Sequence, residues 1–305
     1  MRFGLGRVTS ELHDRPAAAA AQQASERRGY GYVLLAVACF ATSPILTRVA
    51  GEGLGIFEIA AGRLLIAGVV VLAVARWQRL AMPGRRDMRR FALFGLVTAV
   101  HFGAFAASLF YTTIAHSLAI IYTAPVFSAL LSLWFLHEAI SLRQWLGMAV
   151  AVLGVAVLAG FEPHFDATML FGDLLALTSA VAFAFYGIMG RSQRHRYPLL
   201  SYSGTVYMAA GLWLLPFALL TFSAGGYTLA TTSSLLALGL VPLGVGHTFY
   251  NAALRVLNAT VVNILAMQEV TISIILAAFL LGEIPALSTI AGVALTLIGV
   301  VLVVL

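Results

Sequence analysis

Several ionisable side chains interrupt long apolar runs in this chain. Arg63, His101 and Glu269 each stand near the middle of such a run. An ionisable group in apolar surroundings is costly, so each of these three needs a partner, a water-filled cavity or a ligand. A guanidinium presents a fork of donors that fits a carboxylate, and a carboxyl group in a dry site can take up a proton. Arg63 therefore either holds a substrate carboxylate or clamps neighbouring helix ends, and Glu269 either carries a proton or neutralises Arg63.

A second group of candidates combines polar side chains at helical spacing. His247, Tyr250 and Asn251 stand at positions i, i+3 and i+4, which places them on one face of a helix. Three polar groups seldom face lipid together, so this stripe favours a cavity lining over simple bonds between helices. His101 begins a comparable face, and it serves either packing or ligand binding. Since no carboxylate or second histidine follows it at ligand spacing, we expect no metal site.

The composition makes a lipid bilayer the main solvent of the chain. Of its 305 residues, 61% are hydrophobic and 10% are charged. A soluble chain of this length cannot hide so much apolar surface. All 18 basic residues are arginines, which excludes a photoreceptor that binds retinal through a lysine. The net charge of +6 comes mainly from loop arginines, and no stripe of base-stacking aromatics accompanies them, so we expect no nucleic acid as a partner.

Ten apolar runs are long enough to cross a bilayer core about 30 Å thick. They lie at 30–48, 56–75, 91–111, 117–136, 143–160, 170–190, 199–220, 233–253, 258–282 and 286–304. The segment before them, 1–28, is charged and alanine-rich and has no apolar stretch. We therefore predict a flexible cytoplasmic tail there, ending at most in a short helix, and not a signal peptide.

The arginines predict how these spans are oriented. The tail and the loops after the second, fourth, sixth and eighth runs hold 16 arginines, whereas the opposite loops offer at most Arg48. The positive-inside rule then places both termini in the cytoplasm. We expect a multi-pass protein of a bacterial inner membrane.

A stretch near the middle of the chain is repeated at its end. Four residues recur at a constant offset of 145 positions: Glu138, Leu142, Gly147 and Gly154 as Glu283, Leu287, Gly292 and Gly299. Each copy has five runs. Because five is odd, the second copy begins on the other side of the membrane and is inverted relative to the first. We therefore predict an all-α polytopic membrane protein of ten transmembrane helices, built as two inverted five-helix repeats, 29–160 and 170–305. Glu138 then lies at the cytoplasmic face and Glu283 at the outer face, as turns of the scaffold.

Three tyrosines complete the set of candidate substrate-binding residues. Tyr111 occupies the place in the first repeat that Tyr250 occupies in the second, and such paired aromatics act as gates or belong to the interfacial aromatic belt. Tyr122 stands in the fourth run. Tyr186 shares a helix face with small and aromatic residues, which suits a ligand with an apolar ring and a polar end, or else ordinary helix packing.

The repeated strings resemble the drug/metabolite transporter superfamily, and within it the ten-helix EamA-type exporters. The matching stretches are 111–160, 249–304 and GDLLALTSAVAFAFYGIMGR at 172–191. Within that family the likeness is to bacterial aromatic amino-acid exporters. The family often has proline at corresponding kinks of spans four and nine. Pro125 fits this pattern, whereas the second copy reads Gln268-Glu269-Val270, so the resemblance does not carry the kink over to span nine.

The resemblance implies a transporter that exports small metabolites, with aromatic or large neutral amino acids as the expected substrates. A drug or nucleotide-sugar-type carrier of the same superfamily is the alternative. The substrate would bind between the repeats and reach each side in turn by alternating access, facilitated or proton-coupled. The sequence has no GxxxxGK[ST] string, which argues against ATP as the energy source. We expect no cofactor, no enzymatic activity, and a monomer as the working assembly.

Overall fold

The computed structural model describes residues 5–112, 117, 120–158, 166–269, 271–272 and 287–304. Within these ranges the regular secondary structure is helical and contains no strand. Six of the helices there are long and apolar enough to cross a membrane, and three shorter apolar helices accompany them. These nine helices coincide with nine of the ten predicted runs. The remaining run, the ninth, is described over its first part.

We number the spans in the order of the sequence prediction. Span 1 comprises Leu5–Phe40 and Ser43–Ala50, span 2 Ile56–Trp77, span 3 Met88–Tyr111, span 4 Ala124–Leu131 and Ser132–Leu136, and span 5 Leu142–Leu158. Span 6 is Ala167–Ser192, span 7 Leu199–Leu220, span 8 Leu229–Leu238, Gly239–His247 and Thr248–Ala253, span 9 Ala259–Ala266, and span 10 Leu287–Val304. Short 3-10 turns occupy Arg85–Asp87 and Ala224–Gly226.

The segment before span 1 differs from the prediction. We predicted a flexible tail over 1–28 with at most a short helix at its end, whereas the structure has one continuous helix from Leu5 to Phe40. The five alanines at 17–21 lie inside this helix. Alanine has the highest helix propensity of all residues, so this run supports a helix without apolar burial.

Spans 5 and 10 pack closely through glycines that belong to the sequence repeat. A Cβ atom on Gly147 would lie 2.7 Å from the carbonyl oxygen of Gly299, and one on Gly154 would lie 2.9 Å from that of Gly292. The early residue of each helix thus meets the late residue of the other, so the helices are antiparallel. Because the repeat exchanges Gly147 with Gly292 and Gly154 with Gly299, it maps each contact onto the other. The symmetry operation that exchanges two antiparallel helices turns one repeat upside down relative to the other in the bilayer. This is the predicted inversion.

Other spans follow the same symmetry. Span 2 packs against span 7, its equivalent in the second repeat, with Gly68 against Met208 and Gly211 against Leu65. Span 3 packs against span 6, and the equivalent pair of span 8 and span 1 is also in contact. Spans 4 and 9 meet across the middle of the molecule. The largest apolar core lies mainly among spans 1, 2, 3, 6, 7 and 8, and a second one among spans 5, 9 and 10.

Candidate functional site

A cavity of about 110 Å³ lies between the two repeats. Spans 1 to 4 of the first repeat and spans 6, 8 and 9 of the second contribute to its wall. The wall is mostly aromatic and apolar, with a few ionisable groups: Phe40, Ser43, Arg63, His101, Phe102, Phe105, Tyr122, Phe183, His247, Asn263, Met267 and Glu269 belong to it. Five of the nine predicted site residues are in this set, namely Arg63, His101, Tyr122, His247 and Glu269.

Two helices of the first repeat are broken where they border the cavity. Span 1 is interrupted at Ala41–Thr42 and span 4 at Tyr122–Thr123. At each break a threonine hydroxyl donates to the carbonyl three residues earlier, Thr42 to Cys39 over 2.7 Å and Thr123 to Ile120 over 2.6 Å. The next helical segment then begins with proline in its first turn. Both breaks coincide with the sequence Thr-x-Pro, at 42–44 and 123–125. Only the kink at Pro125 was predicted.

Spans 8 and 9 of the second repeat are also irregular beside the cavity. Span 8 winds as a π-helix over Gly239–His247, and span 9 is interrupted at Met267. Met267 lies 145 positions after Tyr122, so the breaks of spans 4 and 9 are equivalent in the repeat. The kink that we did not carry over to span 9 is therefore present without a proline. A cavity permits it because side chains or water can satisfy backbone groups that leave the helix.

Arg63 points its positive charge at the cavity from span 2. The residue is buried, and the guanidinium carbon lies 5.0 Å from the ring centroid of Phe102. Its Nε has no hydrogen-bond partner among the described residues. Arg63 and Glu269 attract each other electrostatically. An unpartnered guanidinium nitrogen at membrane depth can donate to an anionic ligand, since an unpaired buried donor is costly.

Glu269 faces the same cavity from beyond the break in span 9. The residue is partly exposed, and it lines the cavity. The side chains of Tyr122 and Glu269 interact electrostatically, so spans 4 and 9 meet through these two residues. A carboxylate has about four acceptor positions, and one donor leaves others free.

The two histidines differ in how completely they are bonded. His101 Nδ1 lies 2.9 Å from the Ser179 hydroxyl and 3.1 Å from the Ser179 carbonyl oxygen. Because a carbonyl only accepts, His101 carries its hydrogen on Nδ1, and its ring stacks on Phe183 with centroids 4.8 Å apart. His247 is buried against Phe40, and its Nδ1 has no partner among the described residues. His101 is therefore anchored, whereas His247 keeps one nitrogen for a ligand or a water.

The other residues of the predicted stripe form a buried polar layer next to the cavity. Asn251 donates to the hydroxyls of Tyr186 over 2.7 Å and of Tyr207 over 3.2 Å. Tyr250 donates to Asn263 Oδ1 over 2.5 Å, and Asn263 donates to the Ser128 hydroxyl. This polar layer joins spans 4, 6, 7, 8 and 9. The structure does not bring Tyr186, Tyr250 and Asn251 to the cavity wall; Asn251 bonds Tyr186, and Tyr250 bonds Asn263.

Tyr111 also lies away from the cavity. It ends span 3, is 43% exposed and contacts Phe171 edge to face with ring centroids 5.0 Å apart. It thus sits at a helix end on the periphery, the position of an interfacial aromatic residue. Glu283, the repeat equivalent of Glu138, falls outside the described residues.

Side-chain bonds close the molecule beyond the polar layer. Arg191 forms an ion pair of 2.7 Å with Glu138 and donates to the carbonyl of Leu254 over 3.1 Å. These bonds, which we call the Arg191 clamp, join the ends of spans 4, 6 and 8 on the arginine-rich face. On the opposite face, Glu58 accepts from the Gly55 amide over 2.7 Å and the Tyr227 hydroxyl over 3.2 Å. Each face therefore has its own bonds between spans.

An all-helical membrane protein with two repeats, and between them a cavity that holds a few ionisable groups, has the architecture of a polytopic membrane transporter. A comparison with family models agrees, since the model described as the EamA-like transporter family matches residues 27–160 and 170–305. The chain belongs to this family of the drug/metabolite transporter superfamily. The family is one of transporters, so the chain is a membrane transporter and not an enzyme.

Two relatives are named as transporters, and one solved structure has a similar fold. The chain is 28% identical over 285 residues to a probable terminal-alkyne amino-acid exporter of Streptantibioticus cattleyicolor, covering 89% of this chain and 91% of the relative. It is 25% identical over 281 residues to an S-adenosylmethionine uptake transporter of Rickettsia felis, covering 87% and 88%. A solved crystal structure superposes with a TM-score of 0.79 at 17% identity, over 92% of this chain and 96% of the other. That last likeness shows the fold alone.

Proposed function

We propose that this transporter exports aromatic or other large neutral amino acids by alternating access. The observation that carries the proposal is Arg63, a buried cation in an aromatic cavity between the repeats, whose Nε has no partner within the described part of the chain. Guanidinium is the side-chain group that best matches a carboxylate. The aromatic wall supplies apolar contact for the rest of the substrate.

The size of the cavity supports a small cargo. Pockets for drug-sized ligands measure roughly 300–1,000 Å³, whereas this cavity measures about 110 Å³. Phe40, Phe102 and Phe183 line it with ring faces and edges. A planar, apolar side chain fits such a wall better than the sugar and diphosphate of a nucleotide sugar.

The bonds at the two faces support alternating access. The polar layer and the Arg191 clamp lie between the cavity and the arginine-rich face, and Glu58 joins loops on the opposite face. Passage through either face requires the bonds on that side to break while the other side stays closed. By the positive-inside rule the arginine-rich face is cytoplasmic, with both termini on that side of a bacterial inner membrane.

The names of the relatives support a metabolite cargo of this kind. One of them is called a probable amino-acid exporter. Another is called an S-adenosylmethionine uptake transporter, which favours a second candidate, a carrier of nucleoside-bearing metabolites. Both cargoes contain an amino-acid group, so Arg63 fits either, and the volume of the cavity favours the smaller.

Counterflow in proteoliposomes tests the proposal. Purified protein is reconstituted with unlabelled amino acid inside, and uptake of labelled L-phenylalanine, L-leucine or S-adenosylmethionine is followed with and without a pH gradient. We expect saturable counterflow of phenylalanine and leucine. A rate that responds to the gradient indicates proton coupling, and an unresponsive rate indicates facilitated transport. Counterflow of S-adenosylmethionine alone, or of none of the three, contradicts the proposed cargo.

A further inference from the structure

We infer that Glu269 forms a second subsite, which binds a primary ammonium group of the substrate while Arg63 holds its carboxylate. This inference rests on the proposed function, because it assigns the two charged groups on the Cα atom of an amino acid to two side chains of the same cavity. It makes Glu269 a determinant of specificity, and the cargo a zwitterion rather than a simple carboxylic acid or amine.

The first observation is the state of the Glu269 carboxylate. It lines the cavity, where it interacts with the Tyr122 side chain. Aromatic rings share the same cavity wall, Phe105 and Phe183 among them, and a carboxylate has about four acceptor positions. A carboxylate beside aromatic faces is a favourable environment for an ammonium group, which bonds the oxygens and lies against the rings.

The second observation is the direction of the broken helices. The segment Ala259–Ala266 of span 9 ends at the cavity, so its carbonyl end carries partial negative charge there. The segment Ala124–Leu131 of span 4 begins at the cavity, so its amide end carries partial positive charge there. Residues on both sides of each break line the cavity, so helix ends of both partial charges face one space, which suits a ligand that carries both signs.

The third observation is the charge balance of the cavity. Arg63 and Glu269 both line it and attract each other, so each charge compensates the other. A zwitterion replaces this mutual attraction by two direct contacts and leaves no charge without a counter-charge. A carboxylic acid that lacks the ammonium group leaves Glu269 uncompensated, and an amine that lacks the carboxylate leaves Arg63 uncompensated. Sites built around a buried polar partner reject ligands that lack its counterpart.

Matched analogues in the counterflow assay test this assignment. L-Phenylalanine, 3-phenylpropionate and phenethylamine share one ring and differ only in the charged groups. For the wild-type protein we expect 3-phenylpropionate and phenethylamine to compete at least about 100-fold more weakly than phenylalanine. Glu269→Gln should remove this preference over 3-phenylpropionate, whereas Glu269→Asp should retain it. Tyr122→Phe should weaken phenylalanine competition several-fold and keep the order of the three compounds.

The control is Glu138→Gln, which removes a carboxylate outside the cavity and should leave the order of the three compounds unchanged. If Glu269→Gln transports and keeps the wild-type preference for phenylalanine over 3-phenylpropionate, the ammonium subsite is wrong and the proposed cargo stands. If the wild-type protein recognises no aromatic or large neutral amino acid, the proposed function fails and the subsite fails with it. Should Glu269→Gln not fold, loss of the preference in Tyr122→Phe with retention in Glu269→Asp also contradicts the assignment.

Discussion

The packing of spans 5 and 10 and the wall of the cavity use the sequence repeat in opposite ways. In the packing region, glycines stand at equivalent positions of both copies and meet one another across the inverted repeat. In the cavity, the position 145 residues before Glu269 holds Ala124, and span 7, the equivalent of the span that carries Arg63, contains no arginine. A contact that must be the same from both sides requires like residues. A ligand with two oppositely charged groups requires unlike residues around it. The loss of symmetry therefore marks the cargo site.

Substitution of Arg63 should disrupt the cargo site and reduce transport more than any other change proposed below. Arg63→Gln leaves the substrate carboxylate buried without a counter-charge, which costs about 3–5 kcal/mol. We expect phenylalanine counterflow to fall on the order of 100-fold or more. The matched control is Arg86→Gln, at an exposed position in the loop after span 2. Full transport by Arg63→Gln with a lowered thermal midpoint would instead make Arg63 the structural clamp that the sequence left open.

Substitution of a repeat glycine should disturb the packing of spans 5 and 10 and leave the cargo site unchanged. A Cβ atom on Gly154 would lie 2.4 Å from the backbone nitrogen of Thr296, and backbone cannot move aside as a side chain can. Gly154→Ala should therefore destabilise the protein by about 1–3 kcal/mol, seen as a lower thermal midpoint in detergent. Gly31→Ala is the matched control, because no atom lies within 4 Å of its added Cβ. Equal midpoints for both variants would contradict the packing account.

Loss of the Arg191 clamp should shift the balance between the two faces by a smaller amount. Arg191→Gln removes the ion pair with Glu138, a partly buried contact worth about 1 kcal/mol, so the arginine-rich face should open about fivefold more often. Ala266 lines the cavity, so Ala266→Cys on a Cys39→Ala background reports access from that face to a membrane-impermeant maleimide. The double variant Glu138→Arg, Arg191→Glu should recover part of the closure. Unchanged labelling in Arg191→Gln would exclude the clamp as a gate.

The sequence predicted the architecture because its signals are long. Apolar runs of about 20 residues and a repeat over a whole half of the chain survive errors at single positions. Buried charge is an equally strong signal, since an ionisable group at membrane depth needs a cavity or a partner. For this reason Arg63, His101, His247 and Glu269, taken from four separate spans, all line one cavity.

The partners of the polar stripe, the break in span 9 and the helix in the tail were not predicted from the sequence. The residues of the stripe do lie close together, with the ring centroids of His247 and Tyr250 6.1 Å apart, but the sequence does not show which side chains of other spans bond to them. Tyr250 and Asn251 bond within the polar layer, whereas His247 reaches the cavity. The break at Met267 has no proline to announce it, and the alanine run of the tail forms a helix that polarity alone did not predict.

The location of a bound cargo tests the central claim most directly. We would determine the structure with 4-bromo-L-phenylalanine and locate its bromine by anomalous scattering. We expect one bromine peak inside the cavity, among Phe40, Phe102 and Phe183, with the ligand carboxylate within hydrogen-bond distance of the Arg63 guanidinium. A peak outside this cavity, or a carboxylate bound away from Arg63, would contradict the claim that the cargo binds where the repeats stop matching.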